Sequence, residues 1–168
     1  MSLATFATSL RHGSRRSAPR PSAAAPRPDW NLNVLLVEDD LADTSLILDV
    51  LNRHPKVASA HAVAAPDIAL LQLEVGHLSP DLVLLDIHMP RIDGFQFLTR
   101  LRLIRAMADV PVVFLTTSVL LADLMESKRS SAASYLTKPE TYADLQDRLD
   151  GVIRAVIAAG PRADPDHA

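Results

Sequence analysis

Four apolar runs in this chain end in polar residues. Leu32 to Val37 closes in Glu38-Asp39-Asp40, and the run through Leu82, Val83, Leu84 and Leu85 closes in Asp86. Val110 to Leu115 closes in Thr116-Thr117-Ser118, and the short Ser134 to Thr137 closes in Lys138-Pro139. Such near-continuous runs predict strands buried on both faces, as in a parallel sheet covered by helices. A fifth strand, Val57 to Val63, is weaker and polar in places, as an edge strand would be.

Helical patterns fill the intervals. The first begins at an acidic cap near Asp40 to Asp43, carries Leu46, Ile47, Val50 and Leu51 at helical spacing, and stops near His54-Pro55. Pro66-Asp67 opens a second through Ile68, Leu70, Leu71, Leu73 and Val75, ended by Gly76. A third carries Phe95, Phe97, Leu98, Leu101 and Ile104, its apolar face widened by Leu103 and Met107. A fourth spans roughly Leu120 to Ser130, and the last runs from about Tyr142 to Ala158. Five alternations between Trp30 and Ala158 predict an α/β fold: a doubly wound parallel sheet with helices on both faces.

Composition narrows the picture. The 168 residues, 48% hydrophobic, suit one domain over residues 30–158 with tails over 1–29 and 159–168. The absence of cysteine excludes disulfides, thiolate metal sites and a cysteine nucleophile. No apolar run approaches the roughly 20 residues needed to cross a bilayer, and the N-terminus lacks a secretory signal pattern, so a cytoplasmic protein is expected. The net charge of −3 is unevenly spread: residues 1–28 hold five arginines and no acid, which leaves −8 for the rest. That Ser-, Ala- and Pro-rich leader reads as a disordered extension, with a transit peptide or a contact for a polyanion or partner as alternatives.

Strands of an open α/β sheet carry their chemistry beyond their carboxyl ends, so the polar ends of the four runs are predicted to converge. The carboxylates after the first and third strands cannot all ionise cheaply unless a cation joins them, and oxygen donors favour a hard divalent ion such as magnesium. Lys138 and the Thr116 hydroxyl would meet phosphoryl oxygens from the other side, which suggests phosphoryl transfer. No Gly-rich nucleotide loop is present. Read singly, Asp86 could be a turn former, Asp40 and Asp43 helix caps and first-turn dipole partners, His88 a flanking side chain, and Tyr135 edge-strand packing. Gly94 is expected to supply a backbone conformation other residues resist.

Val37-Glu38-Asp39-Asp40, Leu84 to Gly94, Val113 to Ser118 and Tyr135 to Pro139 together resemble the receiver domain of two-component response regulators, the family of the chemotaxis protein CheY. The likeness covers about Asn31 to Ala158. The wording Leu36 to Asp43 and Leu115 to Ser118 is most similar to stand-alone regulators paired with phytochrome-type histidine kinases. The resemblance implies a five-stranded sheet of order 2-1-3-4-5, flavodoxin- or CheY-like. It implies Asp86 as phosphoacceptor from a sensor histidine kinase, and Glu38, Asp39, Asp86 and the His88 carbonyl as magnesium ligands. Thr116 and Lys138 would contact the phosphoryl oxygens, with Thr116 and Tyr135 as the switch pair.

The same likeness makes the Lys138-Pro139 bond a candidate cis peptide. It also implies a signalling protein, not an enzyme beyond its own phosphorylation and dephosphorylation; with no second patterned region and no apolar run of bilayer length, neither direct DNA binding nor membrane contact is expected. Apolar Val119, Leu120, Leu121, Leu124 and Met125 suggest a homodimer through the fourth helix, the Ser134 to Thr137 strand and the last helix, which are helix 4, strand 5 and helix 5 in chain order. Departures from the family pattern are Ser131 where Gly is common, Glu140 where an aromatic is common, and a bulky Thr117. They leave the phosphoryl lifetime open. A phosphorylation-independent pseudo-receiver adaptor and an Asp-nucleophile phosphohydrolase are the competing readings. The hydrolase would need a second acid where His88 stands.

Overall fold

The computed structural model describes residues 30–118 and 134–160. β1 (Leu32–Val37), α1 (Leu41–Arg53), β2 (Val57–Val63), α2 (Pro66–Glu74), β3 (Leu82–Asp86) and α3 (Gly94–Leu101) follow one another. A single 3-10 turn (Arg105–Met107), β4 (Val112–Thr116), β5 (Ser134–Thr137) and a last helix (Tyr142–Ala159) complete the described elements. All strand pairs are parallel, and the sheet order is β2-β1-β3-β4-β5. The predicted fold class and strand order are therefore those of the protein.

The period of two along each strand explains why the apolar runs are unbroken. Leu35, Val37, Val83 and Leu85 join one core with Leu70 and Leu73 of α2 and Phe97 and Leu101 of α3. Val34, Leu36, Leu82 and Leu84, which alternate with them, join a second core with α1 and the last helix. β2 lies at the edge and shows a mixed exposed and half-buried pattern.

Local chemistry sets the helix boundaries. Asp40 caps α1 by accepting from the backbone N–H groups of Ala42 (2.8 Å) and Asp43 (2.9 Å). Asp93 caps α3 by accepting from Gln96 N. Thr141 and Asp144 cap the last helix reciprocally: Asp144 N donates to Thr141 Oγ1, and the Thr141 hydroxyl donates to the Asp144 carboxylate. Gly76 follows α2 at φ +74, where a side chain would be strained.

Three expectations are corrected here. The third helix does not reach Met107; it stops at Leu101, and Arg102 turns back so that its guanidinium donates to the carbonyls of Met107 and Val110. Met107 is still buried, through the 3-10 turn, but Leu103 is 83% exposed. β4 starts at Val112, because Pro111 has no N–H to give the ladder and only its carbonyl pairs, accepting from Val83 N. The Lys138-Pro139 peptide is trans, as is every described peptide bond; the trans isomer is the ordinary state of an X–Pro bond. The fourth predicted helix and its apolar residues 119–125, together with Ser131, lie outside the described residues.

Candidate functional site

Sheet register brings the four polar strand ends together. Val37 pairs with Leu85, so Glu38 follows β1 beside the end of β3, where Asp86 pairs with Leu115 and Thr116 with Thr137. Lys138, one step past β5, donates its backbone N–H to Thr116 O (2.7 Å), which fixes where its side chain starts. Its Nζ reaches Glu38 Oε2 at 2.6 Å, Asp43 Oδ2 at 2.7 Å and Asp86 Oδ1 at 2.9 Å.

The base of the pocket is buried. Glu38, Asp86 and Thr116 are 1%, 6% and 0% exposed, whereas Asp39 is exposed. One carboxylate oxygen each from Glu38, Asp39 and Asp86 lies within 4.8 Å of the others, a three-acid group that can hold a metal ion. Burial pushes the Glu38 carboxyl above its ordinary range, opposed by the Lys138 ammonium and reinforced by the nearby Asp86 charge. Burial also pulls the Lys138 ammonium down, but hydrogen bonds to Asp43, Glu38 and Asp86 outweigh it, so its pKa is raised. This lysine stays charged at any physiological pH.

The loop after β3 is shaped for close approach. His88 N donates to Asp86 Oδ2 at 2.6 Å, while the His88 side chain is exposed, as a flanking residue would be. Ile87, Met89 and Ile92 are buried beneath the loop. Ile92 N donates to Pro90 O (2.8 Å) across Arg91, which sits at φ 69, a tight turn of the rare strained kind. Gly94 has no such φ. It is needed because a Cβ there would meet Asp86 O at 2.6 Å, so the reason is proximity and not the unusual backbone conformation expected from sequence.

Thr116 Oγ1 accepts from Ser118 N at 3.1 Å. The Tyr135 ring is half-buried and stacked on Phe114 (centroids 5.1 Å, 22° between planes), and burial raises its phenol pKa. Phe114 in turn meets Phe95 of α3 at 5.0 Å. Tyr135 is thus packed on the residue two before Thr116 along β4. The structure gathers Glu38, Asp39, Asp86, Thr116 and Lys138 at one edge.

Sequence reasoning missed Asp43 as a partner of Lys138. It is in the first turn of α1, as expected, but its carboxylate points into the site. The signal was available: a helix starting just after Glu38 turns its third residue back over the strand end.

The response regulator receiver domain family matches residues 34–150. The chain belongs to that family. The receiver is 32% identical over 126 residues to response regulator Rcp1 of Synechocystis sp., covering 71% of this chain and 84% of Rcp1. It is 32% identical over 121 residues to the DNA-binding dual master transcriptional regulator RpaA of the same organism, covering 72% of this chain but only 48% of RpaA. The chain therefore spans about half of that longer regulator. A crystal structure of the Mn(2+)-bound form of Rcp1 superposes with a TM-score of 0.62 at 29% identity, covering 72% of this chain and 91% of that one. Among the described residues, no helix is long and apolar enough to cross a membrane.

Proposed function

We propose that this receiver accepts a phosphoryl group on Asp86 from a phosphohistidine of a sensor histidine kinase and signals through protein contacts. The observation that carries the reading is the meeting of Lys138 with Asp86 at 2.9 Å beside the Glu38, Asp39 and Asp86 oxygens. A carboxylate nucleophile, a fixed ammonium and a hard-ion site are what an aspartyl phosphoryl transfer requires.

An Asp86 carboxylate oxygen attacks phosphorus; an O–P bond forms as the P–N bond to the imidazole breaks, and the imidazole leaves with the bonding pair. Lys138 is already oriented by its three carboxylates and would turn its ammonium to a phosphoryl oxygen. The Thr116 hydroxyl, now accepting from Ser118 N, keeps its own proton to donate to another. Glu38, Asp39, Asp86 and the His88 carbonyl would hold magnesium, which offsets the negative charge of acids and phosphoryl group together. Drawing Thr116 toward that group opens space beside β5, and Tyr135, stacked rather than locked, can turn.

A phytochrome-type kinase as partner is favoured by the wording of the Leu36 to Asp43 and Leu115 to Ser118 segments. Incubation with acetyl phosphate and magnesium followed by intact mass tests the reading. One added phosphoryl group is expected, absent in Asp86→Asn. No adduct and no phosphate release would favour the phosphorylation-independent adaptor, and turnover of unrelated phosphoesters would favour a hydrolase.

A further inference from the structure

α2 and α3 both return from the carboxyl edge of the sheet to its amino edge over the same core, so they lie side by side and run in the same direction. α2 buries Ala69, Leu70 and Leu73 but leaves Ile68, Leu71 and Val75 45%, 53% and 55% exposed. Those three recur at helical spacing and form a second apolar stripe, on the solvent side. Leu103, just past α3, is 83% exposed. Leu71 and Leu103 both line a groove of about 710 Å³ between the two helices. Two large exposed aliphatic side chains on one groove, with Ile68 and Val75 exposed on either side of Leu71 along the chain, are more than the scattered single residues a surface ordinarily carries.

The banks of this groove bear opposite charge: Asp67 and Glu74 on the α2 side, Arg100 and Arg105 on the α3 side. Asp67 faces Arg91 of its own chain at 3.5 Å, whereas Glu74 and Arg105 form no ion pair among the described residues. An acidic bank beside a basic bank is self-complementary under one two-fold operation only. With the axis along the groove, each α2 lies over the partner's α3 side, acid on base, with Glu74 at the end of α2 and Arg105 in the 3-10 turn beyond α3 both on the groove. With the axis across the groove, α2 would meet α2 and acid would meet acid.

We propose that the α2–α3 groove is a homodimer interface whose occupant is a second copy of this chain, with Glu74 of each copy opposite Arg105 of the other and Leu71 and Leu103 at its centre. The interface is separate from the three-acid site and independent of phosphoryl transfer.

Sedimentation of the full chain without phosphodonor or magnesium tests it, alongside Leu103→Asp, Glu74→Arg and Arg105→Glu. All three positions are exposed, so the fold is retained, which circular dichroism melting checks. Wild type is expected to dimerise with concentration, and each variant to raise the dimer dissociation constant at least about tenfold. The sharper measurement mixes Glu74→Arg with Arg105→Glu in equal amounts. Both intercopy pairs are then opposite in sign again, and the mixture is expected to regain dimer that neither variant forms alone. A monomeric wild type overturns the proposal and leaves the groove to another protein. A dimer indifferent to all three variants, or a mixture no heavier than its components, overturns it equally.

Discussion

Lys138 Nζ lies 2.7 Å from Asp43 Oδ2, so the lysine at the end of β5 is held by the first turn of α1 as well as by Glu38 and Asp86. Asp43 is half-exposed and the other two acids are buried, so the three pairs differ in worth. Asp43→Asn keeps shape and loses one partly solvated charge-assisted bond. Urea unfolding of the metal-free protein is expected to show a loss of about 0.5–1 kcal/mol. Lys138→Met should cost clearly more, because it leaves Glu38 and Asp86 desolvated without a counter-charge. Equal losses for the two variants would mean that the buried carboxylates do not depend on the lysine.

Gly94→Ala places a methyl group 2.6 Å from Asp86 O and 3.0 Å from both Ile87 Cα and Phe114 Cε1. Two of these atoms are backbone, so the strain must move the end of β3 itself. A loss of about 2–3 kcal/mol is expected in thermal or urea unfolding, with slower labelling of Asp86 by acetyl phosphate. Gly151→Ala is the control: nothing lies within 4 Å of that Cβ and the residue sits inside the last helix, so a gain of about 0.5–1 kcal/mol is expected. A neutral Gly94→Ala would show that the loop yields freely.

The raised pKa of Lys138 has a definite sign in stability. A base whose pKa is higher folded than unfolded adds stability that is complete below its ordinary value of 10.5 and is lost as pH rises through the folded value. Tyr135, raised by burial, and Tyr142, raised by its hydrogen bond to Asp49, act in the same direction from 10.0 upward. Urea midpoints of the metal-free protein are therefore expected to fall above about pH 10. Lys138→Met should fall less steeply there, with the two tyrosines left. Parallel curves for the two proteins would contradict the lysine's share.

The fold was legible because both faces of the sheet are covered. Leu82 to Leu85 had to be apolar throughout, and the order of polar strand ends by itself brings Glu38, Asp86, Thr116 and Lys138 to one edge. What escaped the sequence depended on distance rather than pattern. Asp43 looks the same as a cap neighbour whether or not its carboxylate reaches a lysine from the far strand. Gly94 reads as a conformational glycine until Asp86 O is seen beside it. Arg91 at φ 69 has no residue-type signature, since Arg is an ordinary choice only at negative φ. The hydrophobicity of Leu103 fits the helical period, but the helix ends at Leu101.

Asp39 separates metal binding from folding more cleanly than its neighbours do. It is exposed, while Glu38 and Asp86 are both buried against Lys138. Asp39→Asn removes one negative charge from the three-acid group without stripping a partner from the lysine, so the metal-free melting temperature should stay within about 2 °C of wild type or rise slightly. A ligand that binds only the folded chain stabilises it in proportion to the logarithm of its concentration over Kd. Magnesium should therefore raise the wild-type melting temperature progressively through the millimolar range. The same titration of Asp39→Asn is expected to be shifted to at least about tenfold higher magnesium, the loss of one charged oxygen ligand. Overlapping titrations would remove Asp39 from the metal site and leave Glu38 and Asp86 to hold the ion with backbone and water.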